Sequence, residues 1–218
     1  MPEDYVVRPG DCVESVAFER GFFWQTLWDD PRNARLKDLR GNPNILLEGD
    51  VLHVPDRRAR EHSGATESTH RFVRKGVPSR LRLRIVDPAS SDRQDRPRAN
   101  APFRLEIDGR PTLGTTDADG RVDVPIRPDA REGRLILEPG TPRETVLPLQ
   151  LGHLDPVSEE SGVRQRLASL GFDTGDPEQE AVASLESALR AFQQRHGLEV
   201  TGQADAATRD KLREAHGG

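Results

Sequence analysis

Apolar and polar residues alternate through the middle of the chain, between residues 79 and 151. A period of two is typical of strands that bury one face and expose the other. Turn signals at Asp108–Gly109, Asp117–Gly120 and Pro139–Gly140 separate the strands. Residues 71–152 are therefore predicted to form a small antiparallel β-sandwich, with a long exposed loop over 87–101. The apolar positions are Leu81, Leu83, Ile85, Phe103, Leu105, Ile107, Val122, Val124, Ile126, Leu135, Leu137, Leu147, Leu149 and Leu151.

Acidic residues around Gly120 (Asp117, Asp119 and Asp123) invite comparison with a calcium loop. Thr115 stands where such a loop needs its first acidic ligand, and no helical pattern flanks the segment. We interpret Asp117–Gly120 as a hairpin turn and predict no metal site. The stretch 102–126, with its turn at 114–121, resembles transthyretin-like or carboxypeptidase-regulatory-like sandwiches, related in architecture to immunoglobulin-like domains.

The first block, residues 1–56, begins and ends with short β patterns at Tyr5–Val7 and Val51–Val54. Asp11 is predicted to cap a helix, with Glu14 at its third position completing a capping box. This helix stops near Gly21.

Two further helical signals follow within the same block. Phe23 and Leu27 have helical spacing, and Asp30–Pro31 is a typical helix start, with the helix ending at Gly41. The predicted order is strand, helices, strand.

These positions carry a specific resemblance. The series resembles a LysM domain, which implies a two-stranded sheet covered by helices and a shallow groove for N-acetylglucosamine-containing glycans. By position, the groove would comprise Gly10, Asp11, Cys12, Asn44, Ile45, Leu46 and Leu47. The series itself is Tyr5-Val6-Val7, Pro9-Gly10-Asp11, Val16-Ala17, Gly21, Asn42-Pro43-Asn44, Leu46-Leu47, Gly49-Asp50, Leu52 and Val54-Pro55.

Two features depart from the LysM pattern. Cys12 stands where the family usually has Ser or Thr, and residues 29–40 read as an insertion that lengthens the helical part. The insertion is expected to cover or reshape the groove.

The last block, residues 153–218, shows helical spacing in three stretches. Val163, Leu167 and Leu170 form one apolar face, and Asp205 is predicted to cap the third helix. The second face comprises Leu185, Ala188, Leu189 and Phe192. A three-helix bundle follows from these patterns.

The series Phe192-Gln193, Gly197-Leu198, Thr201-Gly202, Thr208 and Leu212 resembles the peptidoglycan-binding-domain-1 family. That resemblance implies attachment to peptidoglycan. The family's Gly-rich turn before the second helix is replaced by Asp176–Gln179, which reads as an N-cap followed by proline and a capping glutamine.

Between the first two blocks, residues 57–70 have no apolar periodicity and are predicted to be a linker. Apolar residues make up 33% of the chain and charged residues 32%, which favours several small units over one large core. The net charge of −5 gives no general attraction to nucleic acid or to anionic membranes, and neither partner is expected. The overall fold class is therefore multidomain α+β.

The sequence offers no catalytic motif. It contains no Gly-x-Ser-x-Gly, phosphate loop or dinucleotide fingerprint, and its histidines lack metal-ligand spacing. Cys12 is the single cysteine, which excludes an intrachain disulfide and a cysteine-based zinc site. No enzyme activity and no cofactor are predicted.

The favoured function is a non-catalytic modular protein that binds peptidoglycan glycan strands. Without a leader pattern at Met1–Asp4, the chain is expected to be cytoplasmic as synthesised and to reach the periplasm or a target cell through a contractile injection system. The module arrangement resembles proteins of type VI secretion and phage-tail-like clusters. The alternative is an adaptor or chaperone that binds a spike or toxin protein through the same folds; an unrecognised wall hydrolase is the third hypothesis.

Overall fold

The computed structural model describes residues 2–57, 63–71, 79–87, 96–152, 154–175 and 181–217. They form helices and small antiparallel sheets, which confirms the predicted mixture of α and β structure. We call residues 2–57 the N-terminal unit, 79–152 the sheet unit and 154–217 the helical unit. The predicted linker and the Asp176–Gln179 cap fall partly or wholly outside the described residues.

The N-terminal unit has the predicted order of strand, helices and strand. Its two strands are antiparallel, with Tyr5 opposite Leu52, and side chains from both strands and all helices share one core. Asp30 is a cap, as predicted, but the helix predicted to run from there to Gly41 is divided into a 3-10 turn, Pro31–Asn33, and an α-helix that begins at Ala34. The elements are β1 (Glu3–Val6), α1 (Val13–Arg20), α2 (Trp24–Trp28), α3 (Ala34–Arg40) and β2 (Val51–Val54).

The cap of α1 differs from the predicted one. Cys12, not Asp11, is the N-cap residue, and Ser15 takes the position predicted for Glu14. The Cys12 Sγ accepts from the Ser15 N–H at 3.4 Å, while Ser15 Oγ accepts from the Cys12 N–H at 3.0 Å. A thiol can accept a hydrogen bond as a hydroxyl does, so the capping box shifts by one residue and leaves Asp11 for other contacts.

Residues 29–40, predicted as an insertion, are tied firmly to the rest of the N-terminal unit. The Asn33 side chain is fully buried; it donates to the carbonyls of Leu27 and His53 at 2.8 and 2.9 Å and accepts from the His53 N–H at 2.7 Å. A buried amide with these partners fixes the 3-10 turn against β2.

The sheet unit contains a four-stranded sheet in the order β10-β9-β6-β7, a two-stranded sheet β3-β8 and a short pair β4-β5. Leu81 and Val122 of β3 and β8 pack on Phe103, Leu105, Leu135 and Leu137 of the larger sheet, so the two sheets share a core. The strands are β3 (Ser79–Arg84), β4 (Val86–Asp87), β5 (Arg96–Pro97), β6 (Pro102–Ile107), β7 (Arg110–Thr115), β8 (Arg121–Ile126), β9 (Glu132–Leu137) and β10 (Thr145–Gln150). The transthyretin- or immunoglobulin-like assignment stays a prediction.

Two predictions for the sheet unit were wrong. Asp117–Gly120 does not close a hairpin: it joins β7 to β8, which pair with different strands in different sheets. The Asp117 carboxylate holds this crossover by accepting from the N–H groups of Asp119 and Arg121 at 2.9 and 2.8 Å. The segment 87–101 is also not a loop throughout, since Val86–Asp87 pairs with Arg96–Pro97.

The helical unit comprises α4 (Glu160–Ser169), α5 (Ala181–Arg195) and α6 (Ala206–His216). Asp205 caps α6 as predicted, accepting from the Thr208 N–H at 2.8 Å. The predicted apolar faces meet in a core that includes Val163, Leu167, Phe192 and Leu212. No helix within the described ranges is long and apolar enough to span a membrane.

Candidate functional site

The two loops of the predicted glycan groove lie side by side in the N-terminal unit. The Val13 N–H, at the start of α1, donates to the Pro43 carbonyl at 2.9 Å, and the Val7 N–H donates to the Asp50 carbonyl at 2.8 Å. These backbone bonds bring residues 10–12 and 44–47 to the same end of the small sheet.

The seven predicted groove residues differ in their access to solvent. Asp11, Cys12, Ile45 and Leu46 are buried, while Gly10 and Leu47 are partly exposed and Asn44 is exposed. The buried members hold the loops in place, and Gly10, Asn44 and Leu47 are the predicted groove residues with access to solvent.

Asp11 is the centre of a polar network. Its carboxylate accepts from the Tyr5 hydroxyl at 2.6 Å, from the Arg8 N–H at 3.1 Å and from Arg131 of the sheet unit at 2.6 Å. Burial alone raises the pKa of Asp11, but the hydrogen bonds from Tyr5 and Arg131 outweigh it and the pKa is lowered. Burial and the neighbouring Asp11 carboxylate raise the pKa of Tyr5 to about 12, which keeps its hydroxyl a donor.

Cys12 has the chemistry of a structural thiol. Its burial raises the pKa of the thiol, despite the hydrogen bond from the Ser15 N–H. Thiolate character is what makes a cysteine nucleophilic, so this environment opposes covalent chemistry at Cys12.

The second loop is held by an ion pair that the sequence pattern did not reveal. Arg40, at the end of α3, donates twice to the Asp50 carboxylate at 2.8 Å, and Asp50 also accepts from the Leu47 N–H at 2.9 Å. The Arg40–Asp50 hydrogen bonds raise the pKa of Arg40, and the guanidinium stays charged. The predicted insertion therefore braces the loop that carries Asn44 and Leu47.

A cleft of about 750 Å³ opens beside this brace, between β2 and the segment 32–39. Exposed Leu39 and Val51 give it apolar surface, and His53 Nδ1 lies 2.7 Å from a carboxylate oxygen of Asp4. These residues come from distant parts of the N-terminal unit and follow no common spacing, so the sequence carried no signal for the cleft.

In the helical unit, Gln193 links α5 to the turn before α6. Its side chain is fully buried, and Nε2 lies 2.9 Å from Thr201 Oγ1, the Gln203 carbonyl and Thr208 Oγ1. Its Oε1 accepts from the Gly202 N–H at 2.9 Å. In the Phe-Gln…Thr-Gly…Thr series, Phe192 is therefore a core residue. Gln193 is a buried amide that holds the turn containing Thr201 and Gly202.

Arg166 fixes the beginning of the helical unit. Its guanidinium is buried and donates to the carbonyls of Asp155 and Gly162 at 2.7 and 2.9 Å. Burial, and then the nearby charge of Arg213, lower the pKa of Arg166. Arg166 therefore holds the segment before α4 against the helix through these hydrogen bonds.

No group of three or more His, Cys, Asp or Glu side chains within the described parts of the chain is arranged to hold a metal ion. The two loops are held by backbone hydrogen bonds and by the Arg40–Asp50 pair.

In a comparison with known protein families, one part of the chain matches a family. Residues 161–212, from the start of α4 into α6, match the family described as "Putative peptidoglycan binding domain". This confirms the predicted peptidoglycan-binding module in the helical unit. No curated protein and no solved structure matches the chain. The LysM-like assignment and the secretion setting stay predictions.

Proposed function

We propose that this protein binds peptidoglycan through its helical unit, without cleaving it, and that the N-terminal unit adds a second, weaker contact to the glycan strands. The observation that carries this proposal is the family match over 161–212, on a helical unit whose described residues form an apolar core and the buried Gln193 network. Two linked weak sites on one polymer raise the overall affinity well above that of either site.

The decisive experiment is co-sedimentation of the purified full-length chain with insoluble peptidoglycan. We expect the chain in the pellet, with no loss of sacculus turbidity over the same period. Protein that stays in the supernatant would contradict the binding function, and clearing of the sacculi would contradict the non-catalytic part and favour a hydrolase.

The proposed setting is an accessory component of a contractile injection system, supported by the resemblance of the LysM-like and peptidoglycan-binding modules to proteins of such clusters. An adaptor for a spike or toxin protein is the second candidate. One observation favours it: Asp11 of the predicted groove is engaged by an arginine of the sheet unit, so this surface already serves a contact between protein units. Co-purification with a spike protein, without sacculus binding, would select the adaptor.

For the N-terminal unit, Leu47→Asp is expected to weaken binding of a soluble chito-oligosaccharide about tenfold, or about 1.4 kcal/mol. Leu47 is the partly exposed apolar residue of the second loop, and a carboxylate there removes a surface for the acetamido methyl. Titration calorimetry measures the change.

Leu39→Asp is the matched control, since Leu39 is 65% exposed and lies outside the predicted loops. Equal binding by the Leu47 variant and the wild type would remove the second loop from the glycan site. A loss confined to the Leu39 variant would instead place the site in the cleft beside β2.

A further inference from the structure

The sheet unit reaches across to the N-terminal unit and contacts the first predicted glycan loop. Arg131 Nη2 lies 2.6 Å from Asp11 Oδ1, and these side chains are 40% and 5% exposed. The two residues are 120 positions apart in the chain. One partner of the pair is therefore buried, and the other is partly open to solvent.

Further contacts extend this interface along α1. The Ser79 hydroxyl, at the start of β3, donates to the Glu14 carboxylate. The Arg127 guanidinium lies 5.5 Å from the centre of the Phe18 ring. These contacts are polar or cation–π in character, and interfaces of this kind between units of one chain are typically able to separate.

The backbones of the two units also come together at the loop itself. Gly152 follows β10 with φ of +78°, and a Cβ placed on it would lie 2.6 Å from the Gly10 carbonyl oxygen. A glycine is needed for this approach, and the Gly10 carbonyl is covered by the Gly152 backbone. A polar group that would serve a glycan ligand thus lies against protein instead.

We propose that the sheet unit closes the first glycan loop, with the Asp11–Arg131 pair as its latch, and that glycan reaches residues 10–12 only after the units separate. This inference rests on the proposed glycan binding by the N-terminal unit.

The hydrogen-bond partners of the Asp11 carboxylate make a separation of the two units feasible. When Arg131 leaves, the carboxylate keeps the Tyr5 hydroxyl and the Arg8 N–H, both from the N-terminal unit itself. A buried carboxylate left without partners would resist opening strongly, whereas this one stays hydrogen-bonded in both states. The apparent affinity for glycan is then the intrinsic affinity reduced by the open fraction.

Two variants of the full-length chain open the latch by different means. Arg131→Ala removes the charge, and Gly152→Ala introduces a methyl group against the Gly10 carbonyl. Arg134→Ala is the control, because Arg134 pairs with Glu106 within the sheet unit and is 59% exposed. The rate of hydrogen exchange over residues 8–20 reports whether the sheet unit is docked on the N-terminal unit. Titration with a chito-oligosaccharide gives the glycan affinity of the N-terminal unit. Co-sedimentation with sacculi reports peptidoglycan binding by the helical unit.

Both opening variants are expected to raise exchange over residues 8–20 and to strengthen chito-oligosaccharide binding about tenfold, while Arg134→Ala changes neither. Unchanged exchange in both variants would overturn the latch. Faster exchange without stronger oligosaccharide binding would overturn the closure of a glycan loop. Sacculus co-sedimentation, which depends on the helical unit, shows separately whether the proposed function stands.

Discussion

Gln193→Leu is expected to release the chain from insoluble peptidoglycan and to lower the free energy of unfolding of the helical unit by about 3 kcal/mol. Leucine has similar volume but offers no polar atoms. The Gly202 N–H and the Thr208 hydroxyl are buried and would lose the partner that Gln193 provides, and each buried group left without one costs about 1–3 kcal/mol. The turn before α6 should loosen, and with it the surface between α5 and α6.

The helical signal in circular dichroism, followed through a urea titration, measures this loss. Gln194→Leu provides a control at the next position, since Gln194 is exposed and the change in composition is identical. Retained sacculus binding by a demonstrably destabilised Gln193 variant would move the wall contact out of the helical unit.

The helical unit was predictable from sequence because its signals are local. Apolar residues at helical spacing, the Asp205 cap and the short Phe192–Leu212 series all act within one stretch of chain. Even there, the series indicated the fold and not the residues that contact a ligand. Gln193 and Thr208 belong to the series, and they are buried and hydrogen-bonded to each other.

Errors arose where equivalent local signals competed. Asp11 is a better intrinsic N-cap than cysteine, so capping preference alone chose it over Cys12. The structure uses Asp11 for the longer-range bonds to Tyr5 and Arg131, and the thiol takes over the cap. A tertiary contact decided between two residues that local rules ranked the other way.

The turn at Asp117–Gly120 shows a similar limit. Its residues specify a tight turn, and the structure has one, but the flanking alternation does not encode which strands pair. The partner of β8 is β3, far upstream. β7 was not predicted, because both of its faces are largely exposed and its residues show no apolar alternation; Leu113, for example, is 76% exposed.

The contacts that decide access to the candidate site were beyond the reach of sequence reasoning. Arg131 directly precedes β9 and is one of many arginines in the sheet unit, and no spacing distinguishes it from Arg134. Only the approach of the sheet unit to Asp11 makes it special. The predicted glycan-loop residues were proposed by position, whereas the contact between Asp11 and Arg131 depends on a separate part of the chain.

The second large effect is expected in the N-terminal unit, where Leu52→Ala should lower the free energy of unfolding by about 2–5 kcal/mol. Leu52 is fully buried at the centre of β2, opposite Tyr5, and its side chain joins the core formed by α1 and α2. Truncation leaves a cavity that the surrounding strands and helices cannot fill completely.

Tryptophan fluorescence isolates this effect, since the chain has two tryptophans, Trp24 and Trp28, and both lie in the N-terminal unit. Leu39→Ala is the matched control at a side chain 65% exposed, and its transition should match that of the wild type. An equal shift in both variants would contradict the core position of Leu52.

The same pair of variants separates the contributions of the two units to wall binding. With the N-terminal unit unfolded, sacculus binding should fall by about 10²-fold as avidity is lost, yet persist through the helical unit. Complete loss would mean that the N-terminal unit carries the binding. No loss would mean that its loops do not meet the wall together with the helical unit.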